Sequence, residues 1–299
     1  MSLWAYGWVC VSVKTNYAQA LESITEAISL YEQLAEQLRD MFAGQRSMPG
    51  MIQPNVGSDS SMRGVLTRRS VTAGRGMIAA MSDWVRFLDE VSWFVEPGQT
   101  TAAGDALPWT REPIAALPEL AGLLRSATLT PVSVADTAYE LLAWGPPDQR
   151  RGWLCRPPRD ADGEAIAEIH RLFWQVCGGI VETFGAPTSW WSNQNEVLTA
   201  DAERVSVADF FTDYSWIWDG EGLKVPINAD DYYAVAVEAN GNLTLAHRQD
   251  DSLLLFAPDH AFSGVTPLAG CPPYSLLTID QVPNLKTWIE LCAAIWRRQ

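Results

Sequence analysis

No run of eighteen or more apolar residues occurs in the 299-residue chain. Its opening, MSLWAYGWVCVSVK, has no basic start followed by a long apolar stretch. Neither a membrane span nor a secretory leader is expected, and a cytoplasmic home is the default. The five cysteines, Cys10, Cys155, Cys177, Cys271 and Cys292, contain no C-x-x-C pair and leave one over, which argues against a disulfide framework and a zinc ribbon. Histidine is scarce. His170, His247 and His260 are the only three, and no two stand at metal-ligand spacing, so a metalloenzyme is rejected and no cofactor is expected. Catalytic signatures are absent as well. Gly178-Gly179 lacks the flanking pattern of a phosphate loop. The neighbouring carboxylates Asp230-Asp231 and Asp250-Asp251 read as turn chemistry rather than acid/base pairs.

What the chain does have is apolar mass and acidity. Hydrophobic residues make up 47% of it and fourteen are Trp, enough to bury a core and to exclude a wholly disordered chain. The net charge of -15 disfavours nucleic acid and anionic membrane as partners. The excess is one-sided: from Asp160 to Gln299 there are 20 Asp plus Glu against 7 Lys plus Arg, net -13, whereas the first 159 residues hold 16 and 14, net -2. Such a surface keeps a domain soluble, or it steers a basic partner.

Periodicity divides the chain. Tyr17, Leu21, Ile24, Ile28, Tyr31, Ala35, Leu38 and Phe42 describe one face of a long helix, and Met77, Met81, Trp84, Leu88, Val91 and Val95 another, suggesting an antiparallel pair in a monomer or a dimerising contact. Between them, residues 44–76 form a Gly/Ser/Pro-rich loop with Arg46, Arg63, Arg68, Arg69 and Arg75 against a single acid, Asp59. Short helices are expected at 115–125 and 135–143 in the proline-punctuated stretch that follows. RPPRDADG at 156–163 reads as a domain boundary, giving a mainly helical region over 1–159 and an acidic α+β domain over 160–299.

In the second region, Ile166, Ile169, His170, Phe173, Trp174 and Cys177 predict an amphipathic helix, followed by a strand at 180–184. Three strand-like runs in DYYAVAVEANGNLTLAHRQDDSLLLFAPD predict a meander, with a type I′ turn at Asn240-Gly241. Tyr233, Val235 and Val237 would share one face, and Leu243, Leu245 and His247 the next strand's face. A helix over 283–296 with the inward stripe Trp288, Leu291, Cys292 and Ile295 closes an α+β fold, an antiparallel sheet packed with helices.

The aromatics supply the candidate site. Trp190-Trp191 in SWWSNQN, and Trp216 and Trp218 in DYSWIWDGEG, are costly to expose unless something covers them. Trp216 and Trp218 would share a face of any strand there, with Asp213, Asp219 and Glu221 close by. These residues are either core or a partner-binding patch ringed by acids, to which Asp230 and Asp231 belong.

HRLFWQVCGGI at 170–180 resembles the helix ending in a Gly-Gly pair of the SUKH superfamily. GLKVPINADDYYAVAVEANGNLTLAHRQDDSLLLFAPD at 222–259 is similar to that family's later strands, with Pro226-Ile227, Asp230-Asp231, Gly241 and His247 at the matching places. The resemblance covers about the last 130 residues. It implies a noncatalytic binding fold: bacterial members are mostly immunity proteins that neutralise toxins, often nucleases, and fungal relatives regulate cell-wall synthesis through partners. An acidic, Trp-bearing face suits plugging the basic cleft of a nuclease-type toxin. The rival expectation is a small-molecule or carbohydrate-binding protein, or a hydrolase, with the Trp cluster lining a pocket and Asp259-His260 supplying polar chemistry.

Overall fold

The computed structural model describes residues 82–161, 165–187, 194–238, 240–258 and 262–298. The stripe at 17–42, Met77 and Met81 of the second stripe, the arginine-bearing segment 44–76, Trp190, Trp191, Asp259 and His260 lie outside the described residues.

Within them the chain is α+β. Twelve strands form one antiparallel sheet: β1 (Thr101–Ala103), β2 (Leu107–Pro108), β3 (Thr128–Val134), β4 (Thr137–Trp144), β5 (Arg151–Cys155), β6 (Ile180–Phe184), β7 (Gln194–Val197), β8 (Tyr232–Glu238), β9 (Leu243–His247), β10 (Leu253–Phe256), β11 (Val265–Pro267) and β12 (Leu276–Ile279). Strands β3 to β10 lie side by side in chain order; β1 and β2 flank β3 at one edge, and β12 then β11 finish the other. Seven α-helices cover this sheet among the described residues: α1 (Asp83–Glu90), α2 (Pro118–Leu124), α3 (Glu168–Trp174), α4 (Ala200–Glu203), α5 (Val207–Asp213), α6 (Trp216–Asp219) and α7 (Leu285–Arg298).

Alternation in the strands sends side chains into cores on both faces. On one face Leu142, Trp144, Trp153, Tyr233, Leu253 and Leu277 pack with the helices α2, α3 and α7. On the other, Leu141, Ala143, Leu154 and Phe184 meet Trp84, Phe87 and Val91 of the α1 region. Farther along that second face, Ala234, Leu243, Leu245, Leu254 and Phe256 meet Val207, Phe211, Ile217 and Trp218. Helix α2 has no side-chain cap of its own. Glu290 of α7 supplies one, accepting from Glu119 N–H at 2.9 Å and Leu120 N–H at 3.1 Å, which satisfies first-turn donors and pins α2 to α7. Trp144, Trp153 and Trp296 meet edge to face, with ring centroids 4.8 to 5.7 Å apart.

Several expectations are corrected. The boundary at 156–163 does not separate two domains: β5 pairs with β6 across it, and one core contains Leu117, Trp153, Phe173 and Trp288 together. Residues 82–159 contribute five strands to the sheet and only two helices, α1 and α2, so they are not mainly helical. The helix expected at 135–143 is β4, because pairing with both β3 and β5 overrides the helix-favouring Ala, Glu and Leu. A bulge between Ala234 and Ala236 breaks the expected face: Tyr233, Val235 and Ala236 enter one core, while Ala234 and Val237 turn to the other. At the hairpin Gly241 has positive φ, +91°, and its N–H returns to the Glu238 carbonyl while Glu238 N–H bonds Asn242 O. The loop thus closes from Glu238 to Asn242 and is longer than the two-residue type I′ turn expected at Asn240-Gly241. In α7 the inward stripe is Leu285, Trp288, Ile289, Cys292, Ala293 and Trp296, and Leu291 faces out. The helix predicted from Ile166, Ile169, His170, Phe173, Trp174 and Cys177 is present in shortened form as Glu168–Trp174, and the strand at 180–184 and the meander of β8, β9 and β10 are present.

Candidate functional site

Helices α5 and α6 carry the predicted patch. Ser206 opens α5 by accepting from Asp209 N–H at 3.2 Å. After Asp213 the chain kinks at Tyr214 and resumes coiling: Trp218 N–H and Asp219 N–H return to Ser215 O, and Gly220 N–H to Trp216 O. DYSWIWDG is therefore helical, which overturns the strand alternation. Residues two apart on a helix point to nearly opposite sides, so Trp216 and Trp218 separate. Trp218 is 1% exposed, stacked on Phe256 and edge-on to Phe211. Trp216 is 63% exposed. Trp218 is thus a core residue that anchors α6, and Trp216 alone of this pair belongs to the surface.

Helical geometry also decides which acids surround Trp216. Asp219 stands one turn after Trp216 on α6, while on the other side of the kink Asp209 and Asp213 stand one turn apart on α5, Asp213 ending that helix three positions before Trp216. Asp209, Asp213, Asp219 and Glu221 are all exposed. Asp230 and Asp231, also exposed, occupy a 3-10 turn over Ala229–Asp231 that packs against α5. No ion pair joins any of these six carboxylates to a described residue. Between residues 200 and 231 the eight acids face only two bases, Arg204 and Lys224. Asp201 and Glu203 are the two acids that are paired, Asp201 with Arg156 and Arg204, Glu203 with Arg248. Asp209 is absent from the predicted patch; its four-residue spacing to Asp213 on α5 is the helical signal that finds it.

The histidines and the cavities lie elsewhere. His170 is fully buried on α3, with Nε2 3.1 Å from the Leu198 carbonyl and Nδ1 3.2 Å from the Tyr233 hydroxyl. A carbonyl only accepts, so Nε2 carries the proton and Nδ1 accepts from Tyr233. Burial drives its pKa down to about 4, against the Leu198 hydrogen bond, and the Arg159 charge adds to the lowering. His247 sits 2.9 Å from Asp250 at the end of β9. Trp109, Pro113, Ile114, Leu120 and Val176 line a shallow concavity on the sheet face opposite Trp218, with about 10 Å³ of free space, one water's worth. Among the described residues no group of three or more His, Cys, Asp or Glu is arranged to hold a metal ion, and no helix is long and apolar enough to cross a membrane.

Comparison with known proteins returns no matching family model, no matching curated protein and no matching solved structure.

Proposed function

We propose that the chain is a noncatalytic, cytoplasmic protein-binding module that captures a basic protein through the α5–α6 face, in the manner of the immunity proteins its C-terminal half resembles. A nuclease-type toxin is the partner class this favours, because a cleft built for phosphates presents the cations that Asp209, Asp213, Asp219, Glu221, Asp230 and Asp231 complement. One observation carries the reading: Trp216 remains 63% exposed in a stretch whose Asp213, Asp219 and Glu221 are exposed too, while Trp218, two residues on, is buried. An exposed indole in a charged rim has the composition of a binding hot spot, with the acids setting the encounter rate and the ring the lifetime. Because Trp216 projects outward and Trp218 fills the core, the pair lines no ligand pocket, and this supports a docking face over a small-molecule site.

The test is calorimetric titration of the full chain with a panel of basic nuclease-type proteins, in wild type, W216A and D213N/D219N. Each variant is expected to weaken the complex about tenfold or more, a loss of roughly 1.4 kcal/mol or above, with the melting temperature unchanged. Absence of a complex at low ionic strength, or affinities untouched by both variants, rules the reading out.

A further inference from the structure

Three arginines of this molecule share one arrangement. Arg111 lies over the Trp109 ring at 5.1 Å while its guanidinium engages both oxygens of Glu140. Arg156 lies over Tyr139 at 4.9 Å and bonds Asp201 at 3.2 Å. Arg248 lies over Tyr233 at 5.2 Å and pairs with Glu203 at 3.7 Å. Each is a triad of aromatic face, guanidinium and carboxylate. The guanidinium carbon lies over the ring while its N–H groups reach the acid, a division of labour between a planar fork and a ring that an ammonium cannot reproduce.

On the α5–α6 face two of the three parts are present. Trp216 offers an exposed ring on α6, Asp219 stands one turn on in the same helix, and Asp213 ends α5 three positions before it. Among the described residues no cation lies over this ring, and neither aspartate has an ion-pair partner. We propose that Trp216, Asp213 and Asp219 form a clasp for an arginine side chain of the partner, and that this face selects arginine-bearing segments over lysine-bearing ones. The inference rests on the reading of the face as a docking surface for a basic protein and adds which cation it chooses. The guanidinium would lie on the indole and fork toward the flanking carboxylates, completing outside the chain the triad formed three times within it.

Hexa-arginine and hexa-lysine peptides, equal in charge, are titrated into the full-length protein at low ionic strength, in wild type, W216L, W216F and D213N/D219N, with melting curves for each. The arginine peptide is expected to bind about fivefold more tightly than the lysine peptide, the size of one partly exposed cation–π contact. W216L should abolish the preference while both peptides still bind; W216F should retain part of it; D213N/D219N should weaken both peptides. Equal binding of the two peptides to wild type, or a preference that survives W216L, overturns the clasp and leaves the basic-partner reading standing. Binding of neither peptide overturns both.

Discussion

Two buried titratable groups sit on either side of the β7–α4 junction and respond to pH in opposite directions. Burial holds the His170 pKa near 4, so the unfolded chain takes up a proton near the ordinary value of 6.5 while the folded one does not. Unfolding therefore gains a proton in that window, and stability falls as pH drops from about 6.5 to 4, by up to about 3 kcal/mol. Glu196 behaves inversely. Burial pushes its carboxyl up to about 7; the Thr199 hydroxyl and Arg156 oppose the rise, and Asp201 and Glu182 add to it. The folded chain keeps this proton where the unfolded chain has lost it, so stability falls as pH rises from about 4.5 to 7. Glu196→Gln should thus stabilise the protein above pH 7 by up to about 3 kcal/mol and leave it nearly unchanged near pH 4.5. In that variant the His170 slope should stand out. Urea melts from pH 4 to 8 check both; a Glu196→Gln difference that does not vary with pH contradicts the assignment. The His170 stripe was legible in the sequence, because apolar neighbours at helical spacing place a histidine in a core. Its Tyr233 and Leu198 partners were not, being 63 and 28 residues away.

Among the secondary-structure elements, what could be read depended on whether one face or two are buried. Helix α3 has a wet side and a dry side, so its stripe shows. Strand β4 has Leu141 and Ala143 in one core and Leu142 and Trp144 in the other, which erases period-two alternation and leaves a run resembling a helix. Helix α6 is a single turn, too short for a period, and its two tryptophans mimic a strand. Borrowed capping is equally invisible locally: α2 begins at Pro118, yet its cap arrives from Glu290. Glu290→Ala should cost about 1–2 kcal/mol by leaving the Glu119 and Leu120 amides without their acceptor. Chemical denaturation measures it, and faster hydrogen exchange at those two amides should accompany the loss. A stability cost with unchanged exchange would locate Glu290's contribution elsewhere.

Over the whole molecule, charge and architecture divide the chain differently. The acidity is concentrated after residue 160, which the sequence makes plain, and the candidate face lies there. The fold ignores that border. Pro157-Pro158 and the alternating charges around them resemble a linker, but Arg156 N–H bonds Gly179 O and Gly178 N–H bonds Arg156 O, so the chain leaves β5 still tied to the segment entering β6. Gly178 makes this closeness feasible: a Cβ there would run into the Pro157 carbonyl oxygen and stand 3.1 Å from Arg156 Cβ. Local composition cannot report such a contact, since its two sides are distant in sequence. Strands β3–β5 and β8–β10 thus share one sheet and one core around Trp153, Trp174 and Trp288, and should open as one cooperative unit. Native-state hydrogen exchange in rising urea tests this at Leu142 of β4 and Leu255 of β10. Their opening free energies should converge on one global value, to within roughly 0.5 kcal/mol. If Leu142 and its neighbours in β3–β5 instead opened together at lower urea while Leu255 stayed protected, two separately folding domains would meet at residue 160, and the continuous sheet would not be the unit of stability.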